Sequence, residues 1–255
     1  NKYKARVKIL IHEAGIDEIR KAVEEEFAAS PRAAIAADPK EIARIAAYFA
    51  PPAYETLPET SVRLENAKAQ NAELKRFIET NGFTHKIPGY VAITVSLKAI
   101  NAAPGDATSD QMRALADVAD RFSFGELRVT HLQNIVLPYV RKDDVPELFV
   151  ALKAHDLATA NVGLITDIVA CPGMDYCSLA TARSIPIAQD IARRFADPDR
   201  QKLIGELGIK ISGCINACGH HHIGHIGILG LEKSGEESYQ ITLGGDATET
   251  AAIGE

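Results

Sequence analysis

Apolar positions recur along this chain at two spacings, and the change from one to the other divides it. Up to about residue 80 the spacing is helical. Ile19, Val23 and Phe27 fall four residues apart, with Gly15 a break before them and Asp17 a cap, so residues 1–30 read as helix. Asp38 to Phe49 reads as a second helix, ended by Pro51 and Pro52. A proline-rich connector runs from Ala50 to Ser61. Asn66 to Thr80 is polar and predicts an exposed helix, closed by Asn81 and Gly82.

From Pro88 the period becomes two. YVAITVSL puts Val91, Ile93, Val95 and Leu97 on one face of a strand. Pro104-Gly105 marks a turn. Ser109 then caps a helix with the stripe Met112, Leu115, Val118, Ala119 and Phe122. ELRVTHLQNIVLPYV is strand material, and Asp144 and Pro146 start a further helix through Leu148 and Leu152. This order predicts an α+β lobe over about 85–155. Beyond it, GLITDIVA reads as a buried strand running into Cys171, and 178–195 as helix with a restart at Ser184 and Pro186. IKIS leads into Cys214. IGILGL and YQITLGG form a closing hairpin with SGEE as its turn.

Composition narrows the function classes. With 255 residues, 46% of them apolar, the chain can bury a core in one or two domains. A formal charge of −6 argues against nucleic acid as a main partner. No apolar run is long enough for a membrane span and no signal-peptide pattern opens the sequence, so a cytoplasmic location is expected. The start at Asn1, directly in an amphipathic stretch, reads as part of a longer chain.

The chemistry concentrates in the four cysteines, which form two pairs: CPGMDYC holds Cys171 and Cys177, and GCINACG holds Cys214 and Cys218. Four thiolates are what a [4Fe–4S] cluster needs. Each pair is expected just after a strand, with Cys177 opening a helix whose N–H groups favour a thiolate. Gly173, Gly213 and Gly219 are expected to let backbone approach a cofactor. The 36 residues between Cys177 and Cys214 suit two loops meeting at one end of a sheet. Other uses of four cysteines remain open. Disulfides suit an oxidising compartment. Structural zinc takes four thiolates equally well but usually at tighter spacing. Inert buried thiols are the third, disfavoured by the glycine-flanked pairing. His220, His221, His222 and His225 follow directly. They could ligate metal or relay protons, but neighbours in a run point different ways, and local hydrogen bonding is the favoured reading.

CPGMDYC followed by GCINACG resembles the signature of the sulfite/nitrite reductase haemoprotein family. The resemblance extends over most of the chain. It implies a ferredoxin-like half-domain (85–155) followed by an α/β sirohaem/[4Fe–4S]-binding domain (156–255). Residues 1–30 would be the tail of a preceding domain of the same type, and 31–84 a helical linker. By the same resemblance Cys171, Cys177, Cys214 and Cys218 hold a [4Fe–4S] cluster, Cys218 also ligates sirohaem iron, and Asn216 lies beside the cofactors. Arg128, Thr130, Gln133 and Asn134 match the pattern of the family's second unit, with strand pairing and surface hydrogen bonding an equal alternative. Leu132 stands where the first unit carries an anion-contacting arginine. The implied activity is six-electron reduction of sulfite to sulfide, or of nitrite to ammonia. Ferredoxin or a flavoprotein would supply electrons, and an absent N-terminal half most of the basic residues. A non-catalytic [4Fe–4S] electron-transfer or zinc-binding module is the alternative from another class.

Overall fold

The computed structural model describes residues 7–255, so the first six positions of the helix expected from Asn1 lie outside the described residues. The chain forms two compact units, Asn1–Tyr54 and Glu55–Glu255. In the first, helices α1 (Val7–Ala14), α2 (Ile16–Ala29), α3 (Arg32–Ile35) and α4 (Pro39–Ala47) follow one another. Gly15, at φ 84°, separates α1 from α2 and takes the cap position expected of Asp17. Asp17 lies in the first turn instead, where a carboxylate suits the helix dipole, and it pairs with Arg20 at 2.7 Å. Asp38 caps α4, its Oδ1 accepting from the Lys40 N–H at 2.9 Å.

The second unit opens with α5 (Val62–Gln70) and α6 (Ala72–Asn81). The single exposed helix expected here is two helices, because Asn71 leaves helical geometry and spends its side chain on the N–H groups of Glu73 and Leu74. Neither helix is fully exposed. Leu64, Leu74 and Phe77 enter the core, so a narrow apolar stripe outweighs the polar composition.

Strands β1 (Gly82–Thr84), β2 (Tyr90–Val95), β3 (Arg128–Val129) and β4 (Ile135–Arg141) form an antiparallel sheet in the order β1-β2-β4-β3. ELRVTHLQNIVLPYV is therefore a hairpin, with its turn over residues 130–134. Helices α7 (Ser109–Phe122) and α8 (Val145–Lys153) complete the lobe. Thr108, not Ser109, caps α7: its hydroxyl accepts from the Gln111 N–H while Gln111 Oε1 accepts from the Thr108 N–H. The α7 stripe buries Ala114, Leu115, Val118, Ala119 and Phe122, and Met112 is left exposed.

The second sheet contains β5 (Val169–Ala170), β6 (Ile209–Ser212), β7 (Ile226–Lys233) and β8 (Glu236–Leu243), in that order. The first three are parallel and β8 is antiparallel. Ile165, Ile168, Ile209, Ile211 and Ile228 form its core with Ala188 of α9 (Ile185–Arg194). GLITDIVA contributes only two residues to the sheet and an isolated bridge from Leu164 to Glu206, because the stretch before β5 is a turn, with the Asp167 N–H donating to Leu164 O and the Gly163 N–H to Asp167 Oδ2. The helix expected from 178 begins at Ile185. Thr181 and Ala182 direct their N–H groups to Gly213 O instead. Helix α10 (Pro198–Ile204), capped by Asp197, has no counterpart in the sequence reading.

Candidate metal and cofactor site

Both cysteine pairs begin at strand ends. Cys171 follows β5, and Cys214 lies two residues beyond β6. Parallel pairing of these strands puts both ends on the same side of the sheet. The loops are in direct contact. The Cys171 N–H donates to Ile211 O at 3.1 Å, and the Gly213 N–H donates to Cys171 Sγ at 3.1 Å. Ser184 Oγ lies 3.5 Å from the same sulfur.

Glycines make the contact possible, but by letting backbone meet backbone. A Cβ on Gly213 would lie 2.7 Å from Ala182 O and 2.8 Å from Gly173 Cα. One on Gly219 would lie 1.9 Å from Ile211 O. The close approach expected toward a cofactor is here an approach between two loops and a strand.

Cys177 is not at a helix N-terminus. It follows a 3-10 turn over Gly173–Asp175, with its N–H on Gly173 O at 2.9 Å. Cys214 and Cys218 lie in two successive turns. Ala217 N–H donates to Cys214 O, and His220 N–H donates to Ala217 O. Ala217 and His220 both hold left-handed backbone, at φ 57° and 55°, a sparsely populated region for residues with a side chain. Asn216 is partly buried in the first of these turns.

None of the four cysteines is in a disulfide; Cys214 is buried, Cys171 and Cys177 half-buried, and Cys218 exposed. Exposed Met174, Tyr176, Leu179 and Ile215 flank them. Among the described residues no three His, Cys, Asp or Glu side chains are grouped closely enough to hold a metal ion. The donor set fits an iron–sulfur group in its chemistry and in the contact of its two loops. The sulfurs themselves are not gathered around one point.

The remaining candidates are engaged with other parts of the protein. Arg128 pairs with Glu126 at 2.6 Å and donates to the Tyr139 hydroxyl at 2.7 Å. The adjacent carboxylate raises its pKa further above the ordinary arginine value. Gln133 reaches across to the cysteine strand. Its Nε2 donates to Ala170 O at 2.8 Å and its Oε1 accepts from the Ala170 N–H at 3.0 Å. Asn134 is buried. Its Oδ1 accepts from the Leu97 N–H and from Lys98 Nζ, and its Nδ2 donates to Asp167 Oδ1. Among the histidines, His225 Nδ1 accepts from the Gly208 N–H, and the His221 and His222 rings lie 3.9 Å apart.

The sequence reading missed Lys98 and Asp167. They form an ion pair of 2.6 Å, with side chains 2% and 4% exposed. Burial pushes the Lys98 pKa down, and Asp167 opposes that shift. Lys210 on β6 is lowered too, by burial first and then by the Lys98 charge. No local motif marks this pair, since residue 98 and residue 167 meet only through the packing of the two sheets. A cleft of about 640 Å³, lined in part by Arg76, Lys153, Asn161 and Gln201, contains none of the candidate residues.

Residues 86–155 match the nitrite/sulfite reductase ferredoxin-like half domain, and residues 163–255 match the nitrite and sulphite reductase 4Fe-4S domain. Sulfite reductase [ferredoxin] 2 of Mycolicibacterium paratuberculosis is 30% identical over 169 residues, 62% of this chain and 30% of that protein. Ferredoxin–nitrite reductase of Synechococcus elongatus is 30% identical over 159 residues, 59% of this chain and 30% of that protein. The chain thus spans about a third of the length of the curated relatives it matches. The structure of the Mycobacterium tuberculosis NirA protein superposes on 99% of this chain and 41% of its own, with a TM-score of 0.58 at 24% identity, which supports the fold. With both of its sheet-containing lobes matched, the chain belongs to the nitrite and sulfite reductase family.

Proposed function

We propose that the chain is the C-terminal part of a sirohaem-dependent sulfite reductase that reduces sulfite to sulfide with six electrons. The carrying observation is the pair of cysteine loops in contact at the ends of parallel strands, within a segment that matches the 4Fe-4S domain. In this reading Cys171, Cys177, Cys214 and Cys218 hold a [4Fe–4S] cluster. Cys218, the exposed thiol, also ligates sirohaem iron. Bound together, the two groups would deliver electrons singly to the substrate oxyanion.

This chain's own residues hold and aim the thiolates. Gln133 fixes the strand before Cys171, and the Gly213 N–H supports the Cys171 sulfur. Asn216, Gly213 and Gly219 shape the second loop. Exposed Met174, Tyr176 and Ile215 would suit contact with the apolar ring face of the macrocycle. Arg128, Gln133 and Asn134 are the candidates for contact with the cofactors or their surroundings from the half-domain side.

In the same reading residues 1–30 end a preceding domain, 31–84 link it to the half-domain at 85–155, and 156–255 bind the cofactors. An N-terminal half of the same enzyme would supply basic groups for the substrate. Ferredoxin is the proposed electron donor, since relatives at 30% identity are named for it. Among the described residues no helix is long and apolar enough to cross a membrane, which agrees with a proposed cytoplasmic location. Nitrite reduction to ammonia is the second reading, favoured by the relatives named ferredoxin–nitrite reductase.

The test is iron and acid-labile sulfide analysis of the anaerobically prepared full-length protein, with its visible spectrum and its rates on sulfite and nitrite. About five iron and about four sulfide per chain are expected, four of the iron in the cluster and one in sirohaem, with sirohaem bands besides. Cys218→Ser is expected to abolish reduction of either oxyanion. Full activity in that variant defeats the assignment, and zinc in place of iron supports the metal-binding alternative.

A further inference from the structure

Ser184 sits just before α9 and is fully buried, with its Oγ 3.5 Å from Cys171 Sγ. The room for this hydroxyl is left by two glycines. A Cβ on Gly173, which holds φ 59°, would come within 2.6 Å of Ser184 N and 2.9 Å of its Oγ. A Cβ on Gly213 would come within 3.0 Å of the same Oγ. The Gly213 N–H approaches the Cys171 sulfur independently, at 3.1 Å. A backbone N–H and a hydroxyl therefore converge on one sulfur, while a side chain at either glycine would displace the hydroxyl. We propose that Ser184 is a positioning residue that donates a hydrogen bond to the Cys171 thiolate and raises the reduction potential of the cluster it holds. The inference rests on the ligand assignment above.

The sign follows from charge. A thiolate that ligates iron carries no proton, so the hydroxyl must be the donor in the pair. A hydrogen bond to a ligand sulfur withdraws electron density from the cluster and favours its reduced, more negative state. The hydroxyl is itself fully buried, so no water competes for its proton, which strengthens the effect. Ser184 differs from Cys171 in supplying no bond to iron, so its removal is expected to shift the potential and leave the ligand count intact.

The experiment is a redox titration of the full-length holoprotein, followed by electron paramagnetic resonance, in wild type, Ser184→Ala and Ser184→Thr. Ser184→Ala is expected to keep its iron and sulfide and to shift its midpoint to a more negative potential. Ser184→Thr, which keeps the hydroxyl, is expected to return toward the wild-type value. An unchanged midpoint in a fully loaded Ser184→Ala overturns the inference and leaves the ligand assignment standing. A wild type that takes up no cluster overturns both. If Ser184→Ala fails to load, uptake restored in Ser184→Thr supports the role of the hydroxyl, and failure of both beside a loaded wild type overturns it.

Discussion

Asp167 carries its charge into a seam where almost no water reaches. Lys98 answers it at 2.6 Å, and Asn134 and the Gly163 N–H satisfy the remaining carboxylate valences. Removing one partner of such a pair leaves a buried charge without its counterion. Asp167→Ala is expected to lose about 3–5 kcal/mol in urea unfolding, far more than an exposed pair such as Arg113–Asp110 contributes. Tyr239 gives the pH counterpart. Burial first, and then the Glu237 carboxylate, pushes its pKa up to about 12 from an ordinary 10.0. Between those values the folded state keeps a proton that the unfolded state has lost. The contribution of Tyr239 to stability is therefore full below pH 10, and is lost as pH rises through about 12. Phenolate absorbance should show a late component that Tyr239→Phe removes, and alkaline unfolding should be less steep in that variant. The cysteine pairs, unlike these groups, stand out in the sequence by their spacing. Asp167 and Lys98 were not, because two ordinary charged residues 69 positions apart carry no mark of their burial.

Among elements, the loop after β6 is the most constrained. It connects two parallel strands without an α-helix, and the Gly219 N–H ties it back to Ser212 Oγ. Because a Cβ at Gly219 would fall on the Ile211 carbonyl, Gly219→Ala must push the loop off the strand. A loss of about 1–3 kcal/mol or more is expected, with a drop in melting temperature that checks it. Strand and helix existence was mostly readable from period, as with β2, α7 and the β7–β8 hairpin. Boundaries were not readable where side chains or distant carbonyls compete for N–H groups. Asn71 splits a helix by capping it, and Gly213 O claims the N–H groups that would have started α9 early.

At the scale of the whole molecule, one glutamine joins the half-domain to the cysteine strand. β5 is an edge strand, paired on one side with β6. Gln133 completes its free side at Ala170, as a neighbouring strand would. Gln133→Ala leaves a buried N–H and carbonyl without those bonds, at a cost of about 1–3 kcal/mol. Faster hydrogen exchange at the Ala170 amide, with the rest of the sheet unchanged, is the expected signature. The amino-acid sequence by itself determined the α+β alternation and the two cysteine pairs, because period and spacing are local properties, and its motifs CPGMDYC and GCINACG carried the resemblance to the family. Tertiary structure alone decided that the loops touch through glycine backbones, that Ser184 faces Cys171, and that Lys98 and Asp167 meet. Each of those contacts joins separate parts of the chain, and only packing brings such parts within a few ångströms.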